Sequence, residues 1–343
     1  MGNFVNFTPS DLEYGISVDL RYDAVAFYIV NLKSKDILTA GNTRYGDDMI
    51  SSLNNAIKAC CDDYLIEEDE IKTYAVCGSE ENLSLFTSTE KGASLFGIEE
   101  RASNLGLYGN KSATVFVSPC SENGISGDMI SVLSYFDFDN APDNSLFIDF
   151  AEITQCVFKK PDEIISMRID SPIMETKGIS SGTIAESGAI HQAEIKPDGT
   201  IKYSTRNNVV ASGIFVTGLI DIIAVNLKKG IILEDKKVDG GKIPLLDEKE
   251  LLQSDIDLFF KNAEELSAMF TSICDGVIPN VYLSGCYGTQ FNPENLISSG
   301  ILPASFASAE ISVIANASGL GMIKCLYDDN EKDKMISLSE KIK

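Results

Sequence analysis

The stretch SLFIDFAEITQCVFKKPDEIISMRID, residues 145–170, decides the fold. It contains three short runs of apolar, β-branched and aromatic residues, and polar turns separate the runs. This pattern predicts three consecutive strands, antiparallel to one another, over residues 145–150, 154–159 and 163–169. The first of these strands ends with Asp149 at the start of a turn.

A similar set of three runs opens the chain: YGISVDL (14–20), AVAFYIVNL (24–32) and DILTAG (36–41). Here too the first predicted strand carries an aspartate, Asp19, just before the turn. The two sets therefore predict two copies of one structural unit, since repetition at the scale of a domain is more informative than a single motif.

Alternating helices and strands are predicted after each set, from apolar residues at helical spacing and from short buried runs. After the first set they are a helix over 47–61, a strand over 73–78, a helix from Glu80, a strand over 113–118 and a helix over 128–135. After the second set they are helices over 214–228 and 247–274, a strand over 280–285, a helix over 293–298, a strand over 310–315 and a helix over 316–327.

A mixed α/β unit that occurs twice, each time with an Asp at the end of its opening strand, resembles the actin-like ATPases. The predicted fold class is therefore α/β, a two-lobed, duplicated fold of the actin-like or ribonuclease-H-like type (ASKHA). We predict a first lobe over 1–142, including an N-terminal extension over 1–13. A second lobe is expected over 143–327, joined at the turn-rich segment NAPDN. The charged tail, 328–343, is expected to be solvated or loosely helical.

Charge and composition exclude several classes of function. The net charge of −23 argues against binding to nucleic acid and to anionic membranes, because both require clustered Lys and Arg. No apolar run approaches the length of a membrane-spanning helix, and the first residues do not resemble a signal peptide. The eight cysteines are scattered without a CxxC pair, which predicts reduced thiols in a cytoplasmic protein and no intrinsic iron–sulfur cluster. With a single histidine, His191, no zinc site is expected; this histidine is predicted to lie in a strand and to be structural or merely exposed.

Three segments of the second half resemble one branch of the actin-like superfamily, the reductive activators of corrinoid proteins. They are METKGISSGTIAESGAI (174–190), SGIFVTGLIDIIAVNLKKGII (212–232) and VYLSGCYGTQFNPENLISSGILP (281–303). In the first half, GISVDL with AVAFYIVNL and YGDDMISSLNNAI (45–57) is similar too. The resemblance implies ATP-dependent delivery of low-potential electrons to a corrinoid cofactor that has been oxidised to an inactive state.

The same resemblance implies a nucleotide site. Asp19 and Asp149 would coordinate Mg²⁺ or position water; alternatively, they only end strands and cap turns. Gly213, Gly218 and Asp221 would allow either contact with an adenosine or close packing of a helix. Gly285 and Gly288 follow a buried strand, the usual place for a binding loop in an α/β sheet, and are expected to contact the nucleotide.

Two departures from that family set expectations for this chain. We expect no iron–sulfur domain, so an electron carrier such as a ferredoxin would come from another chain. The two phosphate loops also lack the Gly and Thr that let backbone N–H groups and hydroxyls approach phosphate. The first loop contains Arg21, which is able to hold a phosphate, beside Asp23, and the second contains Glu152. These acidic side chains predict that Mg-ATP binds weakly or not at all.

The sequence thus favours an accessory or activator protein of anaerobic one-carbon metabolism with an altered nucleotide site. Its expected partner is a corrinoid protein or a related metalloenzyme. The main alternative is an inactive scaffold or regulatory subunit that keeps only the lobed fold; a small-molecule kinase is the third. Whether the chain hydrolyses ATP, and whether it is a monomer or a homodimer, stays open.

Overall fold

The computed structural model describes residues 12–21, 24–46, 48–88, 97–274 and 276–343. The predicted N-terminal extension up to residue 11, the turn residues Tyr22 and Asp23, and Asp47 lie outside the described residues. Contacts between Cα atoms divide the chain into two compact units: the first combines residues 1–141 with 316–343, and the second is residues 142–315.

The described strands, numbered in chain order, are β1 (Tyr14–Leu20), β2 (Ala24–Asn31), β3 (Ile37–Arg44), β4 (Ile71–Gly78), β5 (Ile98–Arg101), β6 (Thr114–Val117), β7 (Ser145–Asp149), β8 (Ile153–Lys159), β9 (Ile164–Asp170), β10 (Ala189–Ile195), β11 (Ile201–Thr205), β12 (Gly213–Ile214), β13 (Lys242–Pro244), β14 (Glu250–Leu252), β15 (Asn280–Ser284) and β16 (Glu310–Val313). The α-helices are α1 (Met49–Tyr64), α2 (Glu80–Thr87), α3 (Gly127–Tyr135), α4 (Val216–Lys228), α5 (Gln253–Ile273), α6 (Gly285–Gly288), α7 (Pro293–Ser298), α8 (Ala317–Cys325) and α9 (Asp329–Lys341).

The sheet of the first unit has the strand order β3-β2-β1-β4-β6-β5. β1, β2 and β3 pair antiparallel, whereas β4 is parallel to β1 and β6 is parallel to β4. All residues of β1 are buried, as expected for a central strand that is covered on both faces. The N-terminus of α1 is capped by Asp48, whose carboxylate accepts a hydrogen bond from the Ser51 N–H at 2.8 Å.

The main sheet of the second unit repeats this arrangement, with the order β16-β15-β7-β8-β9. β7, β8 and β9 pair antiparallel, β15 is parallel to β7, and β16 is parallel to β15. β7 is again buried throughout. The order and the directions of five strands are thus the same in both units, which confirms the predicted duplicated α/β fold.

Between β9 and α5 the second unit contains additional elements that the sequence pattern did not predict in full. A small sheet has the order β11-β10-β12, and β13 pairs with β14. α4 packs on β10, and its Leu219 and Ile223 belong to the same hydrophobic core as β7. His191 lies in β10, as expected.

The helix predicted from residue 247 begins later, at Gln253. Asp247 and Glu248 have φ values of 49° and 62°, and this left-handed backbone is incompatible with a helix. The Asp247 carboxylate instead accepts a hydrogen bond from the Ala211 N–H at 2.7 Å. The helix starts where the Asp255 carboxylate accepts from the Leu252 N–H at 3.0 Å, which satisfies a donor at the helix N-terminus.

Residues 316–343 differ from the predicted domain assignment. The sequence placed the helix over 316–327 in the second lobe and a solvated tail after it, but contacts group α8 and α9 with the first unit. α8 contacts β1, β4 and α3, while α9 contacts α3 and α8. The tail forms a regular helix because its charged sequence still carries an apolar stripe, of which Met335 and Leu338 are buried.

Candidate functional site

Asp19, at the end of β1, is buried, and its carboxylate is held by groups of the same unit. Oδ2 accepts hydrogen bonds from Nε of Arg21 at 3.0 Å and from Oγ of Ser318 at 2.9 Å. The Cys77 thiol lies 3.9 Å from Oδ1. Burial, followed by the nearby Asp19 charge, raises the pKa of the buried Asp128 carboxyl at the start of α3. The Asp19 carboxylate is thus already paired with a positively charged side chain of the same unit, that of Arg21.

The loop after β1 is short, with three residues between the end of β1 and the start of β2. Its first N–H, that of Arg21, donates to the Ala24 carbonyl at 2.9 Å, which links the two strands directly. The Arg21 carbonyl accepts from the side chains of Asn82 at 2.9 Å and Tyr45 at 2.5 Å. The Arg21 backbone donor is thus engaged, in contrast to a phosphate loop whose N–H groups are left for the ligand. Asp23, the second acid predicted here, lies outside the described residues.

Helix α8 reaches Asp19 because small residues let it approach the sheet closely. A Cβ on Gly319 would lie 2.5 Å from the Tyr28 ring. The Gly319 carbonyl accepts from Ser17 at 2.9 Å, and the Ser318 carbonyl accepts from Ser131 at 2.7 Å. Ser318 was not predicted as a site residue, since nothing local in SGLG shows that it contacts a residue 299 positions away.

Asp149 takes the equivalent place in the second unit, at the end of the buried strand β7. Its Oδ2 accepts from Oγ of Ser284, the last residue of β15, at 3.1 Å. The loop to β8 is again short: Phe150 donates its N–H to the Ser284 carbonyl at 3.0 Å, and the half-buried Glu152 accepts at its carbonyl from Ser171 at 2.7 Å. Ser284 could have been predicted as a site residue from the sequence, because it directly precedes the first glycine of the motif SGCYG.

Gly285 and Gly288 form a single helical turn against this loop. Gly285 has a φ of 92°, and a Cβ there would lie 2.6 Å from Oδ1 of Asp149. At Gly288 a Cβ would be in ordinary contact, 3.4 Å from the Phe150 ring. The Tyr287 N–H donates to the Phe150 carbonyl at 3.2 Å. The structure thus brings Asp149 and Gly285 together, as expected from two neighbouring parallel strands that end at one edge.

Gly213 and Gly218 allow close approach of chain segments within the second unit. A Cβ on Gly213 would lie 2.8 Å from the Ser181 carbonyl oxygen, and one on Gly218 would overlap the Ile190 carbonyl. Asp221, also on α4, accepts from Nδ2 of Asn295 at 2.6 Å and from the Ala193 N–H at 3.3 Å. Burial raises the pKa of Asp221. Of the two alternatives left open by the sequence, these contacts favour close packing: of strand β12 at Gly213 and of helix α4 at Gly218.

Within the described ranges no group of three or more His, Cys, Asp and Glu side chains is placed to hold a metal ion. All eight cysteines are free thiols, and Cys286 is exposed. None of the helices that the structure describes has the length and apolarity of a membrane-spanning segment.

Comparison with known proteins gives consistent results. The family model of the C-terminal domain of RACo, the ASKHA domain, matches residues 143–343. The Co(II) methylated amine-specific corrinoid protein reductase of Methanosarcina barkeri is 24% identical, over 96% of this chain and 73% of that protein.

Among solved structures, a reductive activator for a corrinoid, iron–sulfur protein superposes with a TM-score of 0.76 at 22% identity. The match covers 97% of this chain but only 63% of the activator, so the chain spans less than two thirds of that protein's length. At this identity the superposition supports the fold, and the family match over more than half of the chain establishes the relationship. The chain belongs to the family of the C-terminal ASKHA domain of RACo, the reductive activators of corrinoid proteins.

Proposed function

We propose that this chain is an accessory protein of anaerobic one-carbon metabolism that acts in the cytoplasm on a corrinoid protein or a related metalloenzyme. Membership of the activator family carries this proposal. The name of the Methanosarcina relative, a corrinoid protein reductase, supports the choice of partner. We also propose a separate ferredoxin-type electron carrier as a second partner.

The nucleotide site is proposed to be degenerate, so that Mg-ATP binds weakly or not at all. The ion pair between Asp19 and Arg21 is the observation that supports this proposal. Mg²⁺ would have to displace the Arg21 guanidinium from the Asp19 carboxylate. The Arg21 N–H is bonded to the Ala24 carbonyl and is therefore not available to a phosphate. In the second unit, Glu152 adds a negative charge to the loop that follows Asp149.

Calorimetric titration with Mg-ATP of the wild type, Glu152→Gly and Arg21→Ala tests this proposal. We expect weak or undetectable binding by the wild type. Removing the like charge in Glu152→Gly should improve binding several-fold, equivalent to about 1 kcal/mol. The control is Glu340→Ala, which removes one exposed negative charge from α9 in the other unit.

Two outcomes would change the assignment. If the wild type binds Mg-ATP clearly and Arg21→Ala does not, the Arg21 guanidinium replaces the hydrogen-bond donors that the phosphate loop lacks. Micromolar binding that neither substitution affects would refute the proposed position of the phosphate site. If no variant binds nucleotide while the corrinoid partner still copurifies, the chain acts as a scaffold rather than as an ATP-dependent activator.

A further inference from the structure

A polar cavity of about 400 Å³ lies in the second unit, and its lining includes neither Asp149 nor the loop that follows it. It is formed by the segment before β10, by β10 itself and by the turn after β11. A cavity of this size, with several polar groups converging on it, is large enough for a small ligand. The residues that line it are Ala185, Glu186, Ser187, His191, Arg206 and Asn207.

Arg206 is positioned in this cavity by contacts on several sides. The two residues after it, Asn207 and Asn208, have left-handed φ values of 61° and 52°, which Asn tolerates and which turn the chain sharply. The guanidinium Cζ lies 4.8 Å from the centre of the Phe215 ring, and Nη2 donates to Oε1 of Gln290 at 2.9 Å. Stacking on an aromatic ring and an amide acceptor hold the guanidinium without neutralising it.

The charge of Arg206 has no acidic partner among the described residues, and its Nε is buried without a hydrogen-bond acceptor. This is unexpected in a chain with 51 acidic and 28 basic side chains, where carboxylates for ion pairs are plentiful. A buried donor without an acceptor destabilises the folded chain, and a charged donor does so more than a neutral one. An acceptor supplied by a ligand would remove that destabilisation.

Neither of the other titratable groups that line the cavity, Glu186 and His191, forms an ion pair with Arg206. Glu186 accepts a hydrogen bond from Oγ1 of Thr183 at 2.6 Å, and hydrogen bonds from Thr183 and Ser212 lower its pKa, so its charge is already stabilised locally. Burial, and then the Arg206 charge, lower the pKa of His191, which leaves the imidazole neutral near pH 7. A neutral imidazole still has one N–H donor.

We propose that this cavity binds a small oxyanion, a phosphate or a carboxylate group, with Arg206 as the main ligand-binding residue and His191 beside it. The proposal goes beyond the assigned function, because it involves neither Asp19 nor Asp149. It also connects the cavity to the Gly285 turn: Gln290, which accepts from Arg206, donates its own Nε2 to the Cys286 carbonyl at 2.7 Å. A ligand bound to Arg206 would therefore also restrain the Gln290 side chain, which contacts both Arg206 and the Gly285 turn.

The single histidine provides a specific probe, because the aromatic ¹H NMR spectrum of the chain contains one imidazole Hε1 signal. Full-length protein is titrated with inorganic phosphate in one arm and acetate in another, with chloride at matched ionic strength as the blank. We expect a saturable shift of this signal in at least one arm and a rise of the His191 pKa, since a bound anion stabilises the imidazolium. The arm with the lower Kd identifies the preferred anion.

Three variants test the role of Arg206. Arg206→Gln should weaken binding about tenfold or more, whereas Lys202→Gln should leave it unchanged. Lys202 is the matched control, because it lies on the adjacent strand β11 and pairs with Glu194 at the surface. If Arg206→Gln does not fold, Ser187→Asp, which adds a charge at an exposed residue lining the cavity, should abolish binding instead. A shift that chloride reproduces, or one that persists unchanged in Arg206→Gln or in Ser187→Asp, would overturn the proposal.

Discussion

Asp19 and Asp149 occupy the same position in two similar sheets, but their surroundings differ. Each carboxylate accepts a hydrogen bond from a serine, Ser318 on α8 in the first unit and Ser284 on β15 in the second. Asp19 also pairs with Arg21, whose side chain is 43% exposed. The Asp19 carboxylate therefore belongs to an ion pair within its own unit, and water screens this pair only on the exposed side of Arg21.

At the same scale, Gly218 is expected to be indispensable for packing. A methyl group there would overlap the Ile190 carbonyl, a backbone atom that cannot move independently of β10. We therefore expect Gly218→Ala to lower the free energy of unfolding by about 1–3 kcal/mol, as measured by chemical denaturation.

Gly288→Ala is the control, because a Cβ there makes only ordinary contact with the Phe150 ring. It should change the free energy of unfolding by less than about 0.5 kcal/mol. Equal stability of Gly218→Ala and the wild type would contradict the packing role.

At the scale of elements, α9 illustrates how a charged segment can be structural. Its apolar residues Met335 and Leu338 are buried in the first unit, and Sδ of Met335 lies 3.6 Å from the Cys325 thiol. Among its charged residues, Lys332 and Lys334 pair with Glu99 and Asp137 at 3.1 and 2.7 Å. Pairs of this kind near the surface contribute only about 0–1 kcal/mol each, so burial of the apolar stripe contributes most of the stability with which α9 is attached.

Truncation of Met335 measures the contribution of this buried stripe. We expect Met335→Ala to lower the stability of the first unit by about 2–5 kcal/mol, because it removes a fully buried side chain and leaves a cavity. Glu340→Ala, an exposed position on the same helix, should have little effect. The comparison is made by thermal unfolding followed by circular dichroism; similar transitions for both variants would show that α9 is only loosely attached.

Most strands of the two main sheets and most helices could be predicted because the underlying patterns are local. Buried runs with polar turns mark β1 and β7, and the aspartates at their ends follow directly. Contacts between distant segments leave no such pattern: Ser318 meets Asp19 across 299 positions. Helix α9 was not predicted as a packed element because its buried residues are few among many charged ones. The start of α5 was predicted too early because the left-handed backbone of Asp247 and Glu248 leaves no mark in the hydrophobic pattern.

At the scale of the whole molecule, the division into units predicts how the chain can be cut. Residues 142–315 form one continuous segment with a hydrophobic core of their own, whereas the first unit needs both 1–141 and 316–343. We expect the fragment 142–315 to unfold cooperatively by itself. The fragment 1–141 should aggregate, since it lacks α8 and α9.

A longer fragment, 143–327, provides the comparison. It carries α8, whose buried residues Met322 and Ile323 would then be exposed to water. We expect it to be less soluble than 142–315 by size-exclusion chromatography. If the fragment 143–327 were instead more soluble than 142–315, α8 would belong to the second unit.

The discontinuous first unit has a consequence for synthesis on the ribosome. Residues 1–141 emerge first, but the helices that complete their unit emerge only after all of 142–315. Vectorial synthesis usually lets the N-terminal domain fold first. Here the second unit, residues 142–315, is synthesised completely before the first unit is. Residues 1–141 therefore stay partly folded until 316–343 have been synthesised. A nascent chain with exposed β-strand edges is a natural substrate for chaperones, and the duration of this partly folded state is set by the rate of translation.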